Sequence, residues 1–165
     1  MSAASRLLAV RARRGLTLSV AESCTGGLVS HLLVSVPGAS RVFAGGAVAY
    51  SPALKERLLG VSPATVERET VVSAAVAEEM ARGAAERLST DVALSVTGVA
   101  GPPSPDDPAP CGTVWFGLFA PDGVRSTVRR FPGGRAAVRR AAARFVLRWA
   151  ESVLAGSAPA APAAD

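Results

Sequence analysis

The chain has 165 residues, 49% of them hydrophobic, which is about the length of one domain and supplies enough apolar material for a core. It contains no apolar run near the roughly 20 residues of a membrane span and no secretory signal, so we expect a cytoplasmic protein. Two distant cysteines and a single histidine exclude a His-based metal cluster and a serine-histidine triad.

The formal net charge of +5 comes largely from arginines in segments 6–14 and 125–148, which contain few aromatic residues. This pattern favours solvated helix faces over nucleic-acid binding. Lys55 is the single lysine among eighteen basic residues. A desolvated lysine can lose its proton and an arginine cannot, so Lys55 is a candidate for proton transfer. On composition alone, chance retention of one lysine is the favoured alternative.

Periodicity and breaker residues predict alternating helices and strands in the first hundred residues. In chain order they are a helix over 3–14, a strand over 16–21, a helix over 26–36, a strand over 40–51 and a short helix over 52–59. A turn at Ser62-Pro63 and a connection over 66–73 are predicted next, followed by a helix over 74–88 and a buried strand over 91–98.

The rest of the chain predicts a loop, a hairpin and a helix. Residues 98–112 contain five prolines and three glycines, which indicates a long irregular loop. Asp122-Gly123 predicts a hairpin turn, and an arginine-rich helix follows Gly134. We expect one domain over 1–155 and a flexible low-complexity tail over 156–165.

Strands that alternate with helices and finish in a hairpin predict an α/β fold, a three-layer α/β/α sandwich with a mixed, mostly parallel sheet. Ligands bind such sheets beyond the carboxyl ends of the strands. The Ser23 turn, Tyr50 and the loop after Thr97 all follow predicted strands. We therefore expect three distant segments to meet at one site.

The stretch "ESCTGG" follows the first predicted strand. With Ser23 or Thr25 as the N-cap, Gly26 and Gly27 allow a tight turn and leave the first helix amides free for an anion or an oxyanion. Simple helix capping by these residues is the open alternative.

A serine nucleophile needs a base, and without a usable histidine the remaining candidates are a neutral lysine or a tyrosine. Lys55 lies five residues after Tyr50, so a strand-end tyrosine and a first-turn lysine could share one rim. A solvated charge for Lys55 and a packing role for Tyr50 remain alternatives. Thr97 and Gly98 could form a wall for a carboxamide, sugar or phosphate, or simply a turn.

Five segments together, "AESCTGG", "GGAVAYSPALK", "ALSVTGVAGP", "GTVWFGL" and "FPGGR", closely resemble the carboxy-terminal domain of the competence/damage-inducible CinA proteins over about residues 5–152. The resemblance to stand-alone members implies a hydrolase, a nicotinamide-nucleotide amidase (NMN deamidase). Such an enzyme converts nicotinamide mononucleotide to nicotinate mononucleotide and ammonia in pyridine nucleotide salvage and NAD metabolism, without metal or organic cofactor.

The resemblance implies Ser23 as the nucleophile, with Lys55 and Tyr50 activating it and moving protons. It implies substrate contacts from six residues and a phosphate contact from a seventh: Thr25, Gly26, Gly27, Thr97, Gly98, Gly101 and, for the phosphate, Arg135. The chain departs from the family at Pro52 and in the proline-rich loop 102–111. Asp106 and Asp107 of that loop would repel a phosphate if they pointed inward.

A catalytically inactive nucleotide-binding or regulatory module is the alternative to an amidase. Nucleic-acid binding is a third hypothesis, which the scarcity of stacking aromatics disfavours. We also expect a homo-oligomer, because an apolar-rich chain offers helix faces for self-association. The role of Cys24 stays open from sequence, between a reactive thiol and a small packing residue.

Overall fold

The computed structural model describes residues 1–13 and 15–156, except the side chain of Arg13. Apart from Gly156, the predicted tail lies outside the described residues. In chain order the elements are α1 (Ala3–Arg13), β1 (Leu18–Glu22), α2 (Leu28–Val34), a 3₁₀ turn (Ala39–Arg41), β2 (Phe43–Val48), α3 (Pro52–Leu59), α4 (Pro63–Glu69), α5 (Ala74–Leu88), β3 (Val92–Gly98), β4 (Thr113–Ala120), β5 (Gly123–Arg130) and α6 (Arg135–Leu154). None of the described helices combines the length and apolar character needed to cross a lipid bilayer.

The five strands form one sheet in the order β2-β1-β3-β4-β5. β2, β1 and β3 run parallel, whereas β4 pairs antiparallel with β3 and β5 antiparallel with β4. The two antiparallel pairs follow from chain connectivity, since a hairpin joins β4 to β5 and the loop 99–112 returns the chain from β3. The mixed α/β fold predicted from the sequence is confirmed.

Helices cover both faces of the sheet, because alternate strand residues point to opposite faces. On one face, Leu18 and Val20 of β1 belong to the core that also contains buried residues of α1, α2 and α6. On the other face, Ala21 of β1 packs with Met80 of α5 and Leu59 of α3. α3, α4 and α5 form this second layer, in which α3 carries Lys55.

The prediction of a connection over 66–73 is wrong, because residues 66–69 belong to α4. Proline is well tolerated in the first turn of a helix, and Pro63 starts this one. The helix is tied to α5 through Glu79, which accepts hydrogen bonds from the Ser62 N–H (2.8 Å) and the Thr65 hydroxyl (2.6 Å). This tertiary anchor could not be seen in the local pattern.

Gly83 of α5 sets how closely this helix approaches α3. A Cβ at this position would lie 1.7 Å from the Leu59 carbonyl oxygen, so the two helices would have to separate. We expect Gly83→Ala to lower the free energy of unfolding by about 1–3 kcal/mol, although alanine favours helix. Urea unfolding measures this, and the exposed neighbour Arg82→Ala should stay within about 0.5 kcal/mol of wild type. A Gly83→Ala protein as stable as wild type would contradict the close approach.

Candidate active site

A cleft of about 390 Å³ opens beyond the carboxyl ends of β1 and β3. Seven of the ten predicted site residues line it: Ser23, Tyr50, Lys55, Thr97, Gly98, Gly101 and Arg135. Its size is in the usual range for small-molecule sites. The structure thus brings together residues from four segments that are far apart in sequence, the three expected ones and that of Arg135.

The turn that carries Ser23 follows β1 directly. The Ser23 N–H donates to the Val96 carbonyl of β3 at 2.9 Å, and the Gly26 N–H donates back to the Ser23 carbonyl at 3.0 Å. Gly26 (φ +57°) and Gly27 (φ +96°) adopt the left-handed conformation that glycine accepts without strain. The Ser23 side chain is therefore held at the end of the strand, at the mouth of the cleft.

The buried carboxylate of Glu22 anchors the other side of this turn. It accepts hydrogen bonds from the amides of Gly27 (2.9 Å), Val29 (3.1 Å) and Ser30 (2.8 Å), and from the Ser30 hydroxyl (2.7 Å). A carboxylate at a helix N-terminus stabilises the helix, because it accepts hydrogen bonds from the first amides and interacts favourably with the helix dipole.

The expectation that the first amides of α2 stay free for a ligand is consequently wrong, because these amides donate to the Glu22 carboxylate. Thr25, Gly26 and Gly27 do not belong to the lining of the cleft. Within the described residues, the buried Thr25 hydroxyl has no hydrogen-bond partner. The predicted substrate contacts of these three residues stay predictions.

Lys55 lies in the first turn of α3 and is 2% exposed. Its Nζ is 3.0 Å from the Ser23 Oγ and makes a longer contact, 3.4 Å, with the Tyr50 carbonyl oxygen. Burial lowers the pKa of Lys55 below that of an ordinary lysine. The ammonium form donates to Ser23, and the neutral form can accept the serine proton in the same geometry.

Cys24 also lines the cleft beside Ser23. Burial raises the pKa of its thiol to about 11, so the thiol is protonated at neutral pH. A thiol in that state is a poor nucleophile. Of the two adjacent side chains, Ser23 is the one whose Oγ contacts the Lys55 Nζ, and this contact favours Ser23 for attack on a substrate.

Tyr50 and Arg135 lie at the rim of the cleft. The Arg135 guanidinium donates from Nη2 to the Tyr50 hydroxyl (2.5 Å) and from Nη1 to the Gly101 carbonyl (2.8 Å). Lys55 contacts Tyr50 through the backbone carbonyl, whereas the hydroxyl is bound by Arg135. Both Tyr50 and Arg135 are exposed.

Thr97 and Gly98 form the wall at the end of β3. The Thr97 hydroxyl donates to the Val71 carbonyl at 2.8 Å, which ties the wall to the segment before α5. A Cβ at Gly98 would lie 2.6 Å from the Thr113 carbonyl oxygen. Glycine at this position is thus required by the close approach of β4.

Sequence reasoning missed three residues of the site. Arg139 donates to the Cys24 carbonyl (3.0 Å) and the Thr25 carbonyl (2.9 Å), and its spacing of four from Arg135 was a usable signal. Glu22 belongs to the ESCTGG motif, which by itself assigns it no role. For Asp107 the sequence predicts only repulsion of a phosphate, and the structure places it in the lining of the cleft, where its carboxylate accepts from the Ser104 N–H at 2.7 Å.

The buried amine of Lys55 carries a stability cost. Between the lowered pKa of the folded state and the ordinary value, the unfolded chain binds more protons, so stability rises with pH in that window. We therefore expect Lys55→Met to be more stable than wild type at neutral pH, by about 0.5–2 kcal/mol. Thermal unfolding from pH 6 to 10 should show this gain shrinking as pH approaches the ordinary lysine pKa. A variant less stable than wild type at pH 7 would contradict this reading.

The CinA C-terminal domain family matches residues 2–154 of the chain. A CinA-like protein of Parasynechococcus marenigrum is 48% identical over 141 residues, and a putative competence-damage inducible protein of Desulforamulus reducens is 45% identical over 142 residues. These alignments cover 84% and 86% of this chain but 34% of each relative. The chain therefore spans about a third of the length of the curated relatives that it matches.

Two crystal structures of CinA superfamily proteins share the fold. The protein from Klebsiella pneumoniae 700603 superposes with a TM-score of 0.89 at 31% identity, covering 93% of this chain and 96% of that one. The protein from Escherichia coli gives a TM-score of 0.87 at 35% identity, with 93% and 88% covered. From the family match, the sequence identities and the shared fold, the chain belongs to the CinA C-terminal domain family.

Proposed function

We propose that the chain is an amidohydrolase that converts nicotinamide mononucleotide to nicotinate mononucleotide and ammonia. The observation that carries this proposal is the 3.0 Å contact between the Ser23 Oγ and the buried Nζ of Lys55, whose pKa is lowered by burial. A hydroxyl paired with a readily neutralised amine is the arrangement that nucleophilic attack on an amide needs. The substrate is taken from the resemblance of the site motifs to stand-alone members of the family.

The first half of the reaction is acylation. The Ser23 Oγ attacks the carboxamide carbon while its proton passes to the neutral Nζ of Lys55, which gives a tetrahedral intermediate with a negatively charged oxygen. The C–N bond then breaks, and the leaving nitrogen takes the proton from Lys55 and departs as ammonia. The product of this half-reaction is a nicotinoyl ester of Ser23.

The second half is deacylation, for which Lys55 is neutral again. A water molecule attacks the ester carbon and gives its proton to Lys55, and the ester C–O bond breaks as that proton returns to Ser23. Nicotinate mononucleotide leaves as the carboxylate after loss of its acid proton to solvent. One lysine that alternates between charged and neutral forms serves each step, which an arginine could not do.

Arg135 is proposed as the contact for the substrate phosphate. It lines the cleft and its side chain is exposed at the rim. A guanidinium suits a phosphate because its fork of donors matches two phosphate oxygens. Phosphate binding would compete with the present contacts of Arg135 to Tyr50 and Gly101. The expected homo-oligomer and cytoplasmic location stay predictions from the sequence.

The direct test is to incubate the purified chain with nicotinamide mononucleotide and to measure ammonia and nicotinate mononucleotide together. A panel with nicotinamide, its riboside and the dinucleotide identifies the part of the substrate that is recognised. The Ser23→Ala protein, purified in parallel, controls for contaminating amidases. Folded wild-type protein that releases no ammonia from any of these compounds would contradict the proposal.

A second candidate is a regulatory module that binds the nucleotide without hydrolysing it. The observation that favours it is the altered loop, which brings Pro102, Asp107 and Pro108 into the lining of the cleft. A carboxylate there opposes an anionic substrate, and prolines restrict closure of the loop. Calorimetric binding of the nucleotide without ammonia release would favour this candidate over the amidase.

Asp107 offers a matched pair of variants within one loop. Removing its charge with Asp107→Asn should lower KM for the nucleotide by about 2–5-fold, because a half-exposed charge contributes up to about 1 kcal/mol. The exposed neighbour Asp106, outside the lining, is the control, and Asp106→Asn should have the smaller effect. Steady-state kinetics at low and high salt measures both, and the difference should shrink with salt. A raised KM for Asp107→Asn would mean that the carboxylate assists binding.

A further inference from the structure

Helix α6 presents two arginines one turn apart, and they act on different sides of the cleft. Arg135 reaches the rim, whereas Arg139 binds the turn directly behind Ser23. We infer that Arg139 is a positioning residue that holds the turn so that the amide of Cys24 serves as an oxyanion donor. This inference rests on the proposed amidase function and adds the source of transition-state stabilisation.

The contacts of Arg139 are directed at backbone carbonyls. Its Nε donates to the Cys24 carbonyl at 3.0 Å, and its Nη2 donates to the Thr25 carbonyl at 2.9 Å. A Cβ at Gly26 would lie 3.1 Å from the same Nη2, so the glycine leaves room for the guanidinium. One half-buried side chain thus binds two successive peptide groups of the turn.

These contacts fix the direction of amides on the far side of the turn. In a trans peptide the C=O and the following N–H point in opposite directions. Holding the Cys24 carbonyl toward Arg139 therefore turns the Thr25 N–H away from it. The bond from Arg139 to the Thr25 carbonyl likewise fixes the Gly26 N–H of that peptide. The Gly26 N–H donates to the Ser23 carbonyl, which in turn fixes the direction of the Cys24 N–H.

The amides of this turn divide into two groups. Gly26 donates to the Ser23 carbonyl and Gly27 donates to the Glu22 carboxylate. For Thr25 no N–H acceptor is found in residues 1–13 and 15–156, and for Cys24 none beyond its own thiol. Backbone donors in buried surroundings rarely lack a partner. Thr25 is fully buried outside the lining of the cleft, whereas Cys24 lines it directly after Ser23, so the Cys24 amide is the donor available to the oxyanion of an attacked carbonyl.

A charged donor at the carbonyl end of a peptide strengthens its amide as a donor. Hydrogen bonds from a guanidinium are stronger than neutral ones, and chains of hydrogen bonds polarise one another. Donors held in place before the reaction need no reorganisation when charge develops. Since the oxyanion exists only after attack, Arg139 should affect kcat rather than KM.

The test compares Arg139→Ala and Arg139→Lys with Arg140→Ala, an exposed arginine on the same helix. Two assays are run: ammonia release from nicotinamide mononucleotide, and acylation by 4-nitrophenyl acetate. In the second, the Ser23 Oγ attacks the acetyl carbon, its proton passes to Lys55 and nitrophenolate leaves. The ester needs an oxyanion site but no nucleotide recognition, so it reports on the turn even if the nucleotide is not a substrate.

We expect Arg139→Ala to lower kcat and the acylation rate by about 10–100-fold, somewhat less than the loss of a whole oxyanion donor, with KM within about threefold. Arg139→Lys should fall between, because its single ammonium can reach one carbonyl. The apparent pKa of the acid limb of the pH profile should not move, since Lys55 is untouched. Millimolar guanidinium should partly restore Arg139→Ala but not Ser23→Ala, which a general loss of folding would not allow.

The outcomes separate the two proposals. If acylation depends on Arg139 but the nucleotide is not hydrolysed, the inference stands and the proposed function fails. If the nucleotide is hydrolysed and folded Arg139 variants keep wild-type kcat, the inference fails alone. Three further outcomes would overturn the inference. The first is a rise in KM without loss of kcat, and the second is an effect of Arg140→Ala equal to that of Arg139→Ala. The third is a wild-type protein whose Ser23 reacts with neither substrate.

Discussion

Ser23→Ala is expected to reduce ammonia release at least about 10³-fold while the protein still folds and binds the nucleotide. Loss of a serine nucleophile removes the covalent route entirely, and in serine hydrolases such losses are among the largest known. The Ser23 side chain is 6% exposed, so it offers little surface for binding. Calorimetry should therefore give a Kd for the alanine variant within about threefold of the wild-type value.

The matched control is Cys24→Ala, which alters the adjacent side chain of the same turn. Its thiol is buried and protonated at neutral pH, so we expect this variant to keep at least about a tenth of the wild-type rate. If Cys24→Ala is inactive and Ser23→Ala retains turnover, the assignment of the nucleophile is wrong. Mass spectrometry of the protein trapped with substrate should locate the acyl group on Ser23.

We expect Lys55→Arg to lower kcat by about 10²–10⁴-fold, which is the usual contribution of a positioned acid or base. Arginine keeps the positive charge but does not release its proton in a protein, so it cannot accept the proton of Ser23. Steady-state kinetics measures the loss. Arg57→Ala, an exposed change on the same helix, should leave kcat within about twofold.

The pH dependence identifies the group responsible. Neutral Lys55 is the active form, so kcat/KM should rise with pH through the lowered pKa of this lysine, below the ordinary value of 10.5. Because Lys55 is the single lysine, selective carbon labelling gives one side-chain NMR signal whose titration reports this pKa directly. We expect the midpoint of the kcat/KM profile to agree with the midpoint of the NMR titration. Full activity of Lys55→Arg, or a lysine signal that titrates at 10.5, would contradict the mechanism.

Local signals were enough where a helix carries its own boundaries. α3 begins at Pro52 after the Ser51 cap and ends before Gly60, as predicted, because a side-chain cap and a left-handed glycine act within a few residues. α4 was missed because Ser62 makes no side-chain cap there and the anchor, Glu79, lies seventeen residues away. The hairpin predicted at Asp122-Gly123 is confirmed, with Pro121 and Asp122 at its tip and Gly123 paired with Ala120.

The candidate site was accessible to sequence reasoning only in part. Ser23, Tyr50 and Lys55 were named from strand-end positions, from the single lysine and from the family resemblance, and all three line the cleft. The interpretation of Gly26 and Gly27 as free donors failed because the Gly27 N–H donates to Glu22, which caps α2, and the Gly26 N–H donates to the Ser23 carbonyl. Whether such a carboxylate points into a helix terminus or into solvent depends on packing, and packing cannot be inferred from the periodicity of the sequence.

Residue spacing and short motifs were enough to predict the α/β alternation, most element boundaries and the family. Which groups share a site depends instead on how distant segments pack. The Ser23–Lys55 contact joins residues 32 apart, and the Arg139 contacts to the turn span more than a hundred residues. Such distances, and the burial that lowers the pKa of Lys55, arise only when the sheet and both helical layers have assembled.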